Sequence, residues 1–141
     1  MSKAAISKTP LDRAERLAGL AAAARTARSA LLDLADRTLA ATDVVIVEYP
    51  EPYAAPLTLH TAVGDSDLGA AVVTRCTVTI DGRTGWGLVL GWDRLASLAA
   101  AVLDGQGGEM ADTLAAEALA AEQLARQQEA GLVLLTRTES E

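Results

Sequence analysis

Thr74-Arg75-Cys76-Thr77-Val78-Thr79-Ile80-Asp81-Gly82-Arg83-Thr84-Gly85-Trp86-Gly87-Leu88-Val89-Leu90-Gly91-Trp92-Asp93-Arg94 joins an arginine-bearing hairpin to the start of a helix. Residues 72–90 form two runs rich in Val, Thr, Ile and Leu, broken at Asp81-Gly82, the strongest short hairpin signal. Strand side chains alternate with period two, so the length of the loop decides which residues share a face. An odd-length connection puts Val72, Thr74, Cys76 and Val78 together with Trp86, Leu88 and Leu90 on one continuous apolar surface. On that ground we expect a three-residue turn with Gly82 in or near a left-handed bulge position. The opposite face then carries Val73, Arg75, Thr77 and Thr79 against Gly85, Gly87 and Val89, a lone cation beside two glycines. Glycine within a strand often marks the close approach of a ligand or another backbone. This makes Arg75, Gly85 and Gly87 the candidate contact with a partner or an anion; a solvated face with glycine at a twist accounts for the same residues.

The 141 residues fit one domain, long enough to bury a core without disulfides or a structural metal. We expect a tail at 1–8, a single domain at 9–138 and a tail at 139–141. Half the chain is hydrophobic, yet aromatics are only 3% and Phe is absent, so the core is built from Ala, Leu and Val. A mean hydropathy of +0.21 implies apolar surface beyond one small core, which a partner would cover. The Ala/Leu helices expected at 95–103 and 110–125 are where we look for that interface. The net charge of −7 repels a phosphate backbone, and no cluster of Lys or Arg offsets it, which argues against nucleic acid. With a single cysteine there is no intramolecular disulfide and no CxxC pair, so a reducing cytoplasm is the expected compartment. Residues 1–9 carry two lysines without an apolar run and no segment offers a membrane-length apolar span, so we expect a soluble protein that is not exported.

Thr9-Pro10-Leu11-Asp12 reads as a capping signature for a helix to about residue 24, with Thr9 as the cap. After an interruption at 26–29 a second helix carries Leu31, Leu34 and Leu39, with Asp33 and Arg37 spaced to pair. Val44-Val45-Ile46-Val47 reads as a short strand, and Tyr49-Pro50-Glu51-Pro52 as a loop lasting to Pro56, because proline lacks an N–H and restricts its predecessor. Residues 57–63 read as a second strand, and Gly64-Asp65-Ser66-Asp67 as a turn into the hairpin. Asp93 caps the next helix, Gly105 ends it, a long helix spans about 109–129, and Gly131 stops it before a short last strand at 132–136. The order ααββββααβ lacks βαβ alternation, so the expected class is α+β: paired N-terminal helices, a four-stranded mainly antiparallel sheet, two C-terminal helices and that last strand.

No self-contained active site is visible in the sequence. His60 is the only histidine, without a Ser or Cys nucleophile at a recognisable elbow, and is read as structural. Cys76 falls on the apolar face and is read as core. Gly105-Gln106-Gly107-Gly108 follows a helix, lacks the lysine of a phosphate loop and precedes Glu109, so it is read as a helix end and loop. Glu109, Asp112, Glu117, Glu122 and Glu129 spread around a helix, with Glu122 and Arg126 spaced to pair; this is a solvated face. We therefore expect no catalytic, cofactor-binding or metal-ligating residue in this chain.

The succession Thr74-Arg75-Cys76-x-Val78, Asp81-Gly82-x-x-Gly85-Trp86, Gly91-x-Asp93-Arg94 and Leu98-Ala99-Ala100-Ala101-Val102-Leu103-Asp104 resembles the PhnG subunit family of the bacterial carbon–phosphorus lyase system, which breaks down phosphonates. The likeness extends more faintly over most of the chain, and it rests on the order of the motifs. It departs from the family pattern where Ala70 follows Gly69 and where Trp92 stands between Gly91 and Asp93, both positions at which the family usually carries charge. The segment after Asp104 is also short. The resemblance implies an accessory subunit of a cytoplasmic complex with PhnH-, PhnI- and PhnJ-like proteins and a PhnL-like component. That assembly, a transferase, displaces adenine from ATP with an alkylphosphonate to give the ribose 1-alkylphosphonate 5-triphosphate, with the chemistry carried by the PhnI-like partner. ATP is then a substrate of the complex and not a cofactor of this chain. The rival expectation is an acidic α+β protein-binding module, such as a secretion-chaperone-like dimer, with no enzymatic role.

Overall fold

The computed structural model describes residues 11–61 and 64–140. Two helices, α1 (Arg13–Thr26) and α2 (Arg28–Ala41), precede three strands, β1 (Val44–Thr61), β2 (Gly64–Ile80) and β3 (Arg83–Leu90). Two further helices follow, α3 (Arg94–Gln106) and α4 (Glu109–Ser140). The strands form one antiparallel sheet in the order β1-β2-β3, and the chain is α+β as expected.

Among the described residues the sheet has three strands and not four. The residues assigned to a proline loop and a separate strand belong to one long β1, which pairs with β2 from Val44↔Ile80 to Thr61↔Gly64. Proline is tolerated there because β1 is an edge strand, and the register slips between Ile46 and Glu48, Glu48 and Glu51, and Leu57 and Thr58. Gly64-Asp65-Ser66-Asp67 correspondingly lies in β2. The residues expected to form the last strand, 132–136, belong to α4, which continues through Gly131 to Ser140. An exposed helix accommodates one glycine at a cost of about 1 kcal/mol, so Gly131 alone does not end it.

The hairpin is where the parity reading fails. Ile80 pairs with Arg83, leaving a two-residue loop in which Asp81 (φ 50°) and Gly82 (φ 75°) both adopt left-handed backbone. That is the primed turn an Asp-Gly pair favours. The even loop pairs Thr74 with Val89, Cys76 with Gly87 and Val78 with Gly85. Thr74, Cys76, Val78, Ile80, Gly85, Gly87 and Val89 are buried, while Trp86, Leu88 and Leu90 are exposed on the other face.

Helix α3 lies across the inner face, buried along Ala96, Ser97 and residues 99–105. A Cβ on Gly87 would overlap the Ser97 carbonyl oxygen, and one on Gly85 the Ala101 carbonyl oxygen. The glycines therefore bring two backbones together, and the space they leave is filled by the helix. Leu20, Leu31, Val89, Ala100, Leu103 and Ala115 belong to the main core between the helices, while Cys76, Val78 and Ala101 form a second cluster with Val44, Ile46 and Leu98. The apolar surplus of 95–103 is thus largely spent inside the domain, and Ala111, Ala115 and Ala118 of α4 are buried too.

Local signals hold the ends of these elements. Asp12 is the N-cap of α1 in a reciprocal box with Glu15, its carboxylate accepting from the Glu15 N–H at 2.8 Å. Thr9 and Pro10, expected at that cap, lie outside the described residues. Asp93 caps α3 by accepting from the Ala96 N–H at 3.1 Å. Arg28 grips the same carboxylate with two N–H groups at 2.8 and 2.9 Å and holds it below the ordinary carboxyl range. Helix α3 runs to Gln106, past the expected Gly105 stop, and Gly107 is its C-cap, donating to the Leu103 carbonyl at 2.8 Å. Buried Thr74 joins β2 to the start of α3: its hydroxyl donates to the Gly91 carbonyl at 2.6 Å and accepts from the Asp93 N–H at 3.0 Å.

Candidate functional site

The outer face of the sheet faces α1 across a cleft of about 640 Å³. Leu17, Ala18 and Ala21 of α1 form one wall, Trp86, Gly87 and Leu88 of β3 the other, and Glu48, Arg75 and Thr77 are the polar groups among them. Short side chains on α1 leave the room; the alternation of β3 supplies Trp86 and Leu88.

Arg75 is the expected site residue, and the structure places it in this cleft. It stands apart from the glycines, however: Gly85 and Gly87 turn their Cα hydrogens to the inner face against α3, and of the two only Gly87 reaches the lining. The expectation that both glycines open a surface beside Arg75 is corrected by the two-residue turn, which flips β3 relative to β2. What surrounds Arg75 instead is Glu48, 3.7 Å away, and the ring of Tyr53, whose centroid lies 4.3 Å from the guanidinium carbon. Glu48 is held from the other side by the Thr77 hydroxyl, which donates to it at 2.6 Å. Arg75 and Glu48 are each about half exposed, at 49% and 48%.

The cleft wall is anchored by a buried carboxylate absent from the expected site residues. Asp104, with a fully buried side chain, accepts from Arg13 at 2.6 Å, from Arg16 at 3.1 Å and from the Trp86 backbone N–H at 2.8 Å. Arg13 also donates to the Thr84 carbonyl at 2.7 Å and stacks over the Trp86 ring, 3.9 Å from its centroid. These bonds join α1, β3 and α3 and occupy outward-facing backbone groups of the β3 edge. Arg16 reaches on to Asp112 at 3.6 Å.

The other expectations resolve simply. Cys76 is a free, buried thiol, and desolvation, with a lesser push from Glu48, raises its pKa to about 11, which leaves it a core hydrophobe at neutral pH. His60 stands in β1 with Asp65 as its register partner. Glu122 pairs with Arg25 of α1 and not with Arg126. Trp92, one of the two departures from the family pattern, is exposed beneath Arg94, 5.7 Å from ring centroid to guanidinium carbon. Among the described residues no three His, Cys, Asp or Glu side chains cluster as metal ligands, and no helix is long and apolar enough to cross a membrane. Comparison of the sequence with protein-family models and with characterised proteins gives no match.

Proposed function

We propose that this chain is an accessory subunit of the cytoplasmic carbon–phosphorus lyase core complex, of the PhnG type, required for the synthase step and non-catalytic by itself. The observation that carries the subunit reading is the outer face of the sheet and its margin, where Val45, Val47, Tyr49, Tyr53, Trp86, Leu88 and Leu90 are all exposed. Large apolar side chains concentrated on one sheet mark an interaction surface, since a monomer keeps such patches small. The carbon–phosphorus lyase assignment is supported by the ordered motifs at 74–78, 81–86, 91–94 and 98–104. All four motifs have clear structural duties: Thr74 and Asp93 join β2 to α3, Asp81-Gly82 makes the turn, and Asp104 anchors α1 to β3.

Expressed together with PhnH-, PhnI- and PhnJ-like proteins, the chain is expected to elute with them as one species on size exclusion. Val45→Asp combined with Leu90→Asp, both on exposed positions, is expected to release it while its own helical signal is retained. Free protein persisting at micromolar concentration beside the native partners would overturn the proposal.

A further inference from the structure

Five arginines of this chain, Arg13, Arg16, Arg25, Arg28 and Arg83, donate hydrogen bonds to carboxylates or backbone carbonyls. Arg75 is different. Among the described residues its guanidinium makes only the 3.7 Å ion pair with Glu48 and the ring contact with Tyr53. Its planar fork is therefore oriented from below by an aromatic ring while its N–H donors remain unspent. This fork opens on a cleft whose other lining is largely apolar: Leu17, Ala18 and Ala21 on one side, Trp86 and Leu88 on the other.

We propose that the cleft binds a small amphipathic monocarboxylate, its apolar body between α1 and Trp86–Leu88 and its carboxylate on Arg75. The volume of about 640 Å³ falls within the range of about 300–1,000 Å³ typical of ligand sites. The combination of apolar walls with a few convergent polar groups is the usual composition of such sites. The charge of the head group follows from the neighbours. A single cation beside the Glu48 carboxylate suits one negative charge in a bidentate pair, whereas a dianionic phosphate would meet Glu48 with no second cation lining the cleft among the described residues to offset it. Apolar walls cannot satisfy a polar body, which excludes sugars and nucleotides as the main occupant. Trp86 and Leu88 also belong to the face assigned to a partner subunit, so the test is made on the isolated chain, where ligand binding is read separately from co-elution.

The test uses octanoate and its uncharged analogue octanamide on the full chain carrying Trp92→Phe, which leaves Trp86 as the only indole. Octanoate is expected to change Trp86 emission and to saturate at one molecule per chain, binding at least tenfold more tightly than octanamide. Arg75→Gln should weaken octanoate about tenfold or more, the value of a lost charged hydrogen bond, and leave octanamide unchanged. Ala18→Phe fills the cleft from an exposed helix position and should abolish both, with the circular dichroism of the chain intact. Equal affinity for the two ligands, octanoate binding indifferent to Arg75→Gln or to Ala18→Phe, or no saturable binding up to millimolar concentration would each overturn the proposal.

Discussion

Asp104→Ala is expected to lower folding stability by about 3–5 kcal/mol, the loss typical when one partner of a buried ion pair is removed. Its carboxylate is fully buried and receives Arg13, Arg16 and the Trp86 N–H. Alanine leaves a buried cavity, an unpaired backbone donor at the β3 edge and two guanidinium groups facing each other. Arg13→Ala is expected to cost far less, about 1 kcal/mol or below, because Arg13 is 41% exposed and water replaces part of what it loses. Urea unfolding of the full chain separates the two. A loss below about 1 kcal/mol for Asp104→Ala would mean that the carboxylate is not the anchor of α1 on the sheet. The cleft gives a second readout, since Asp104 positions the wall bearing Trp86: the emission of Trp86 should move toward that of a fully exposed indole in Asp104→Ala.

Gly87→Ala is the second large effect, expected to cost about 3 kcal/mol or more, at or beyond the upper end for overpacking. The added Cβ would meet the Ser97 carbonyl oxygen and the Ala101 nitrogen, backbone atoms that cannot rotate aside, so α3 must lift from β3. Gly85→Ala is expected to behave alike, against Ala101 and Gly105. Gly131→Ala supplies the control with the opposite sign. Nothing lies within 4 Å of a Cβ there, and removing a glycine from a helix interior stabilises by about 0.5–1 kcal/mol. Thermal unfolding of the three variants should rank Gly131→Ala above the native chain and the two strand variants far below it. A Gly87→Ala protein as stable as the native one would contradict the backbone contact between α3 and β3.

The same glycines explain why the faces of the hairpin were misread while its position was legible. Asp81-Gly82 marks the turn, and its two positive φ values suit a two-residue loop. Counting apolar side chains favours the other parity, because Trp86, Leu88 and Leu90 look like core. Where a helix backbone rests directly on a strand, small size replaces apolarity as the mark of burial. The pairing of Gly85 and Gly87 with the run Ala99-Ala100-Ala101 was the available sign. The prolines of β1 misled for a related reason, since an edge strand with register slips can hold them. Caps at Asp93 and the break near Ala27 were legible because they depend on neighbours in sequence. Arg75 could be singled out as a lone cation on a strand; its companions in the cleft could not. Leu17 and Glu48 reach it only through the tertiary fold, and Asp104 is 91 and 88 residues from its two arginines.

The most direct test of the subunit proposal is adenine release from ATP in the presence of methylphosphonate by the PhnH-, PhnI- and PhnJ-like proteins and the PhnL-like component. Assembled with this chain, they are expected to release adenine with formation of the ribose 1-methylphosphonate 5-triphosphate; without it, release of the phosphonate-linked product should fall to background. The same rate of that product with and without the chain would contradict the account.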